Sequence, residues 1–234
     1  MKAGCVASPV GSGEPVPCRR VEPLRSTMLA LHIAAGSVAL VASLAAASSK
    51  AFRVSHRVHV IAGRAFAMSM LGIVLTALPL SLLGGSLLLL LVAILSGYLG
   101  FAGGREAVRK DGAGTWSDRA AAILMVLAGV AMAGWGGLAL AKGSLGGLVL
   151  LAFGAIGLAL ASSDLRRIGR PSDRADRIAN HMIRMMGATI SVLTAFLVVN
   201  VRFEPGWLVW IAPTALLTPL IVVWARSIRA GRLG

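Results

Sequence analysis

Apolar positions in this chain fall in long unbroken runs, not in the alternation of a strand or the single stripe of a surface helix. Seven runs stand near Met28–Ser48, Ala62–Leu82, Leu87–Gly103, Ala120–Ala141, Leu145–Ser163, Ile183–Asn200 and Trp207–Trp224. A membrane-spanning helix needs roughly 20 mostly apolar residues. The pattern therefore predicts an all-α, polytopic integral membrane helix bundle of about seven transmembrane helices. Strand-like alternation is absent, which argues against a membrane barrel. The third run is short, and "LLGGS" (Leu82 to Ser86) makes a very tight turn before it. The second and third runs could instead form one hairpin that spans imperfectly.

Polar sequence divides the rest. Residues 1–27 are rich in Gly, Pro and Ser, lack an apolar core, and read as a flexible polar tail and not as a signal peptide. A translation start at Met28 is a second reading of that tail. Residues 28–226 form a single transmembrane bundle, and 227–234 a short basic cytoplasmic tail. Cys5 and Cys18, the only cysteines, both lie in the N-terminal tail. They would pair outside the cell and stay reduced inside it. Two thiols in such a tail give poor support to a zinc or iron–sulfur site.

Composition agrees with the bilayer. Hydrophobic residues make up 57% and charged residues 14%, with a mean hydropathy of +0.82. Soluble domains average about 25% charged residues. The net charge of +14 is unevenly placed. If the runs cross alternately, 17 Lys and Arg fall on one side and 6 on the other. The positive-inside rule makes the richer side cytoplasmic, with the N-terminus outside and the C-terminus inside a bacterial inner membrane. Trp207 and Trp210 at one end of the last run, and Trp224 at the other, fit aromatic belts. The charge thus reads as topology and as contact with anionic lipid head groups, with no nucleic acid implied.

Candidate chemistry is sparse. No Asp or Glu falls at mid-bilayer, which counts against a proton-driven antiporter. No serine-hydrolase triad, phosphate loop or His-Glu-x-x-His zinc pattern is present. Asp118 reads as an N-cap after Trp116 and Ser117. Asp164, beside Arg166 and Arg167, reads as a solvated helix end. Small residues at four-residue spacing (Gly100 and Gly104; Gly129, Ala133 and Gly137; Gly143 and Gly147) predict close helix approach. Pro79, Pro213 and Pro219 predict kinks in the second and seventh spans.

Four histidines remain: His32, His56, His59 and His181. His32 and His59 each have a glycine four residues on (Gly36 and Gly63), which leaves a bare patch on the same helix face. Arg64 adjoins Gly63, and His181 is followed by Arg184 and Gly187. Parity of crossing puts His59 and His181 near the inner face and His32 near the outer one. About 16 residues, roughly 24 Å of helix, part His32 from the inner end of its span. A faint echo relates "LAAASSKAFR" (Leu44 to Arg53) to "LALASSDLRR" (Leu158 to Arg167), each followed by a basic loop, a histidine and "VLTAL" or "VLTAF". It suggests a parallel 3+1+3 internal repeat with His59 and His181 as mates.

The segments "LHIAAGSVAL", "HVIAGRAFAM" and "HMIRMMGATISVLTAFLVVN" resemble the bacterial membrane-protein family known as domain of unknown function 2306, over nearly all of the chain after Met28. The family pattern has a histidine in the first span and His-x-x-x-Gly-Arg at the second, matched by His32 and by His59, Gly63 and Arg64. The loop before His59 is longer and more basic than that pattern, and His56 is additional. The resemblance implies the polytopic fold and no particular activity.

Two functional classes follow. One is a b-type haem or quinone-linked redox protein. Its cofactor-binding set is His59, His181, Gly63, Arg64, Arg184 and Gly187, with His59 and His181 as iron ligands, His32 as a further candidate, and Arg57, Arg64 and Arg184 available to propionates. The alternative is a cofactor-free transporter or binding protein for small molecules or lipids. His59 and His181 are expected to face each other near the cytoplasmic surface, and the redox reading depends on it.

Overall fold

A computed structural model describes residues 21–51, 55–109, 114–170 and 172–232. Among them the chain forms seven α-helices: α1 (Val21–Ala51), α2 (His56–Leu83), α3 (Leu87–Val108), α4 (Trp116–Ala141), α5 (Gly147–Arg167), α6 (Arg174–Asn200) and α7 (Trp207–Arg229). All seven are long and apolar enough to cross a bilayer. The chain is a multi-pass membrane protein. Its lipid-facing side chains are apolar: Val41, Leu75, Leu127 and Leu216 are all well exposed, an arrangement that water would penalise and hydrocarbon does not.

Helix ends follow local chemistry. Helix α1 begins at Val21, so Val21–Thr27, read from sequence as tail, are its first turns. Residues 1–20, with Cys5 and Cys18, lie outside the described residues. The third span is a full helix of 22 residues, longer than the apolar run suggested. The turn before it closes on Gly85, whose φ of +63° suits glycine, while the Ser86 hydroxyl caps α3 by accepting from the Leu89 N–H at 3.4 Å. Pro79, Pro213 and Pro219 are accommodated inside continuous helices.

Packing gives the bundle two parts. Helices α1, α2, α3 and α6 form a ring in which each touches the next; α2 and α6 face each other across its diagonal without backbone contact. Helices α4 and α5 pair closely on the other side of α3, and α7 lies against α6 and α5. This arrangement does not mirror the 3+1+3 division: α1 and α2 pack intimately, whereas the backbones of their counterparts α5 and α6 do not meet among the described residues.

Glycine sets the approach of α4 to α5. A Cβ on Gly136 would lie 2.8 Å from the Gly147 carbonyl oxygen, and one on Gly129 would lie 3.2 Å from the Gly154 oxygen. The seam therefore runs through Gly129 and Gly136, with Gly154 also close to the Ala133 backbone. Gly137 and Gly104, picked out by strict four-residue spacing, have open space where a Cβ would stand. A helical period of 3.6 selects i, i+4, i+7 in preference to i, i+4, i+8.

Candidate functional site at the basic end of the bundle

The ends of α1, α3, α5 and α7 and the starts of α2, α4 and α6 meet at one end of the bundle. Contacts between them fix this: His59 on α2 reaches Ala46 on α1, His181 on α6 reaches Gly103 on α3, Arg105 on α3 reaches Asp118 on α4, and Arg229 on α7 reaches Asp176 on α6. The seven helices thus cross with alternating sense. Of the 17 basic residues grouped from sequence, those among the described residues all belong to the spans and loops of this end.

His59 and His181 come together here. Their ring centroids are 6.4 Å apart, with the planes at 79°. They sit on the diagonal helices of the four-helix ring. Each is oriented by a carbonyl of a flanking helix: His59 Nδ1 donates to the Ala46 oxygen at 3.0 Å, and His181 Nδ1 donates to the Gly103 oxygen at 2.8 Å. A carbonyl only accepts, so both Nδ1 atoms carry hydrogen. In the neutral ring the lone pair is then on Nε2. Gly103 has its own role. A Cβ there would come within 2.7 Å of the Met185 sulfur and 3.2 Å of the Arg184 Cβ. Glycine lets α6 approach closely enough for His181 to reach the carbonyl.

The other expected site residues divide. Gly63 lies one turn from His59 with open space beside it, as does Gly36 beside His32. Arg57 and Arg64 are exposed. Gly187 does not border a free face: it packs on Leu99, 3.4 Å from a built Cβ. Arg184 does not reach the rim of the histidine pair either. It is 1% exposed and turned toward α5, where its guanidinium grips the Asp164 carboxylate. His32 is remote, as parity required: its Nδ1 meets the Thr76 hydroxyl at 3.0 Å. That hydroxyl already donates to the Gly72 oxygen at 2.7 Å, so the His32 Nδ1 donates to it. His56 is exposed at the start of α2.

Asp164 is the main departure from the sequence reading. It is no solvated helix end. Besides Arg184 it accepts the hydroxyl hydrogen of Tyr98, a buried residue of α3. The three side chains lock α3, α5 and α6 together through charge-assisted bonds, the form in which buried charges persist in a membrane protein. Two signals pointed to it. Arg184 stands ten residues inside α6, too deep for an ordinary anchor, and the sole tyrosine of the chain, Tyr98, lies mid-span where its hydroxyl needs a partner.

A second polar cluster lies between α3 and α4. Thr115, not Asp118, is the N-cap of α4, and Asp118 is the third residue of the helix. Its carboxylate accepts the Thr115 N–H at 2.7 Å and the Arg105 Nε–H at 2.9 Å, and it pairs with Arg109 at 2.8 Å. Among the described residues no group of three or more His, Cys, Asp or Glu side chains is placed to hold a metal ion. No protein-family model, curated protein or solved structure matches the chain.

Proposed function

We propose that this multi-pass protein sits in a bacterial inner membrane, N-terminus outside and C-terminus in the cytoplasm, and carries electrons by one b-type haem between His59 and His181. The observation that carries the reading is the histidine pair on the diagonal of a four-helix ring. Two imidazoles on opposite sides of one iron, at about 2 Å per bond, have ring centroids about 6 Å apart. The pair stands at 6.4 Å. Each ring has its Nδ1 hydrogen committed to a backbone carbonyl, the outer contact that fixes a metal-binding imidazole with Nε2 toward the metal.

The donor set favours this cofactor over a bare ion. Structural zinc takes four protein ligands and catalytic zinc three. Two histidines without a third donor fit a metal whose remaining ligands come from a macrocycle, and between helices is where bundles build such sites. The open face at Gly63 supports a flat ligand beside His59. Arg57 and Arg64, free at the surface, would meet propionates at the cytoplasmic boundary. Bound haem would supply one-electron chemistry; the protein supplies two ligands, their orientation and a low-dielectric wall. On the same reading, His59-x-x-x-Gly63-Arg64, which carries the resemblance to the domain of unknown function 2306 family, provides a ligand, a bare face and a cation together.

Full-length protein, expressed with haem precursor and purified in a non-ionic detergent, tests this. A Soret band that shifts on dithionite reduction is expected, and it should vanish in His59→Ala and in His181→Ala while elution volume and helicity stay unchanged. A haem-free wild-type protein, or a band that survives both substitutions, overturns the proposal.

A further inference from the structure

The cleft between α3, α4 and the end of α5 is separate from the histidine pair. It is lined by three guanidiniums, Arg105, Arg109 and Arg167, and three carboxylates, Glu106, Asp118 and Asp164. Its empty space, open mouth included, is about 480 Å³, but only about 30 Å³ of that admits the centre of a water-sized group, so the cleft is narrow. Two atoms buried there have no partner among the described residues: the Glu106 Oε2 and the Arg109 Nε. The Glu106 side chain is 10% exposed and that of Arg109 13%. The rest of both groups is engaged, Arg109 with Asp118 at 2.8 Å and, more loosely, with Glu106 Oε1 at 3.7 Å.

A buried acceptor and a buried donor left open on side chains three residues apart are costly, on the order of 1–3 kcal/mol each, unless something fills them. The filler must offer an N–H or O–H to Glu106 and an acceptor to Arg109. The lining is balanced in charge, which suits a zwitterion better than an anion. The position adds a third condition. The mouth opens beside a shallow, mostly apolar groove lined by Trp116, Ala120, Ile123 and Ile168, with Thr115 and Arg119 also on it and Ile168 common to both. Trp116 is 83% exposed and Ile123 46%, as residues at the bilayer interface are.

We propose that this cleft binds the headgroup of a phosphatidylethanolamine-type lipid. Its primary ammonium enters the narrow cleft and donates to Glu106 Oε2, its phosphate accepts from Arg109 Nε, and its acyl chains lie along the Trp116 groove. The recognition rests on the hydrogen of the ammonium. A choline headgroup has the same charges and no N–H, and a glycerol headgroup has no cation.

Delipidated full-length protein in maltoside is titrated with phosphatidylethanolamine, phosphatidylcholine or phosphatidylglycerol and read by native mass spectrometry. Ethanolamine lipid should bind about tenfold more tightly than either of the others. Water-soluble glycerophosphoethanolamine, lacking acyl chains, should not compete at the same concentration. Glu106→Gln should remove the preference for ethanolamine over choline, and Arg109→Lys, which keeps the charge and deletes Nε, should weaken ethanolamine binding. The wild-type titration stands even if a variant does not fold. Equal binding of the three lipids, no adduct at all (one trapped water filling the cleft), competition by the soluble headgroup, or an unchanged preference in a folded Glu106→Gln protein would each overturn the proposal.

Discussion

Replacing Asp164 with alanine removes the partner of a guanidinium that is only 1% exposed. Arg184 would then be a buried charge left with only neutral neighbours, the Asn180 carbonyl at 3.4 Å and the Tyr98 hydroxyl. Breaking a buried pair in this way costs about 3–5 kcal/mol. Tyr98 loses its acceptor at the same time, an addition of about 1–3 kcal/mol for a stranded hydroxyl. Asp164 is itself 17% exposed, so water can partly replace it, and the lower end of the summed range, about 4–5 kcal/mol, is the expected loss. Unfolding by sodium dodecyl sulfate in maltoside micelles, followed by helical circular dichroism, measures it. Two companions sharpen the reading. Tyr98→Phe should cost only about 1–2 kcal/mol, because the ion pair survives. The double replacement Asp164→Leu with Arg184→Met should recover the ion-pair share of the loss and leave the Tyr98 share, since apolar groups of similar volume often substitute for a buried pair at little cost. A loss below about 1 kcal/mol for Asp164→Ala, or a double variant as unstable as the single one, would refute the claim that the pair is desolvated and coupled.

The glycine seam of α4 predicts a contrast between neighbours: Gly136→Leu, whose side chain meets the Gly147 carbonyl and Leu150, should cost at least about 1–3 kcal/mol by forcing α4 from α5, whereas Gly137→Leu, facing open space, should stay within about 0.5 kcal/mol; equal effects in the same assay would show that the seam is misplaced. Reporter fusions check the orientation. An alkaline phosphatase domain joined after Arg229 should be inactive and a fluorescent protein there bright, and the reverse pattern would invert the topology drawn from the basic residues.

How much of this was legible in the sequence depends on the range over which each signal acts. Hydropathy is a property of contiguous residues, so all seven spans were readable. Helix ends were readable less well: α3 runs on to Val108 past Arg105 and Glu106, because Arg105 finds Asp118 across the α3–α4 boundary and does not force the helix to stop. The histidine pairing was readable for a different reason. Once the number of crossings is known, parity alone sorts His59 and His181 to one face and His32 to the other. Seventeen residues, about 25 Å of helix, separate His59 from Thr76, the partner of His32.

Pairwise partnership was the part that sequence concealed. Asp164 has two arginines within three residues, and a reading by neighbourhood assigns it to them. Its true partner is 20 residues away on α6, and its second, Tyr98, is 66 residues away on α3. Nothing local distinguishes a carboxylate that faces water from one that faces a helix packed against it. Depth does. Arg184 follows His181 by three residues, so the two side chains leave α6 at nearby heights but about 60° apart around its axis. The histidine turns to α3 and α2, the arginine to α5. Grouping both as one cofactor site, as adjacency in sequence suggested, ignores that rotation. The same helix turn therefore does two separate jobs. Its arginine fixes α6 to α5 and α3 through Asp164 and Tyr98. With α6 so held, and with Gly103 allowing the close approach, His181 is held at the Gly103 carbonyl and opposite His59. Stability at Asp164 and geometry at the histidine pair are thus linked through one rigid helix, and a variant that loosens the first should disturb the second without touching it.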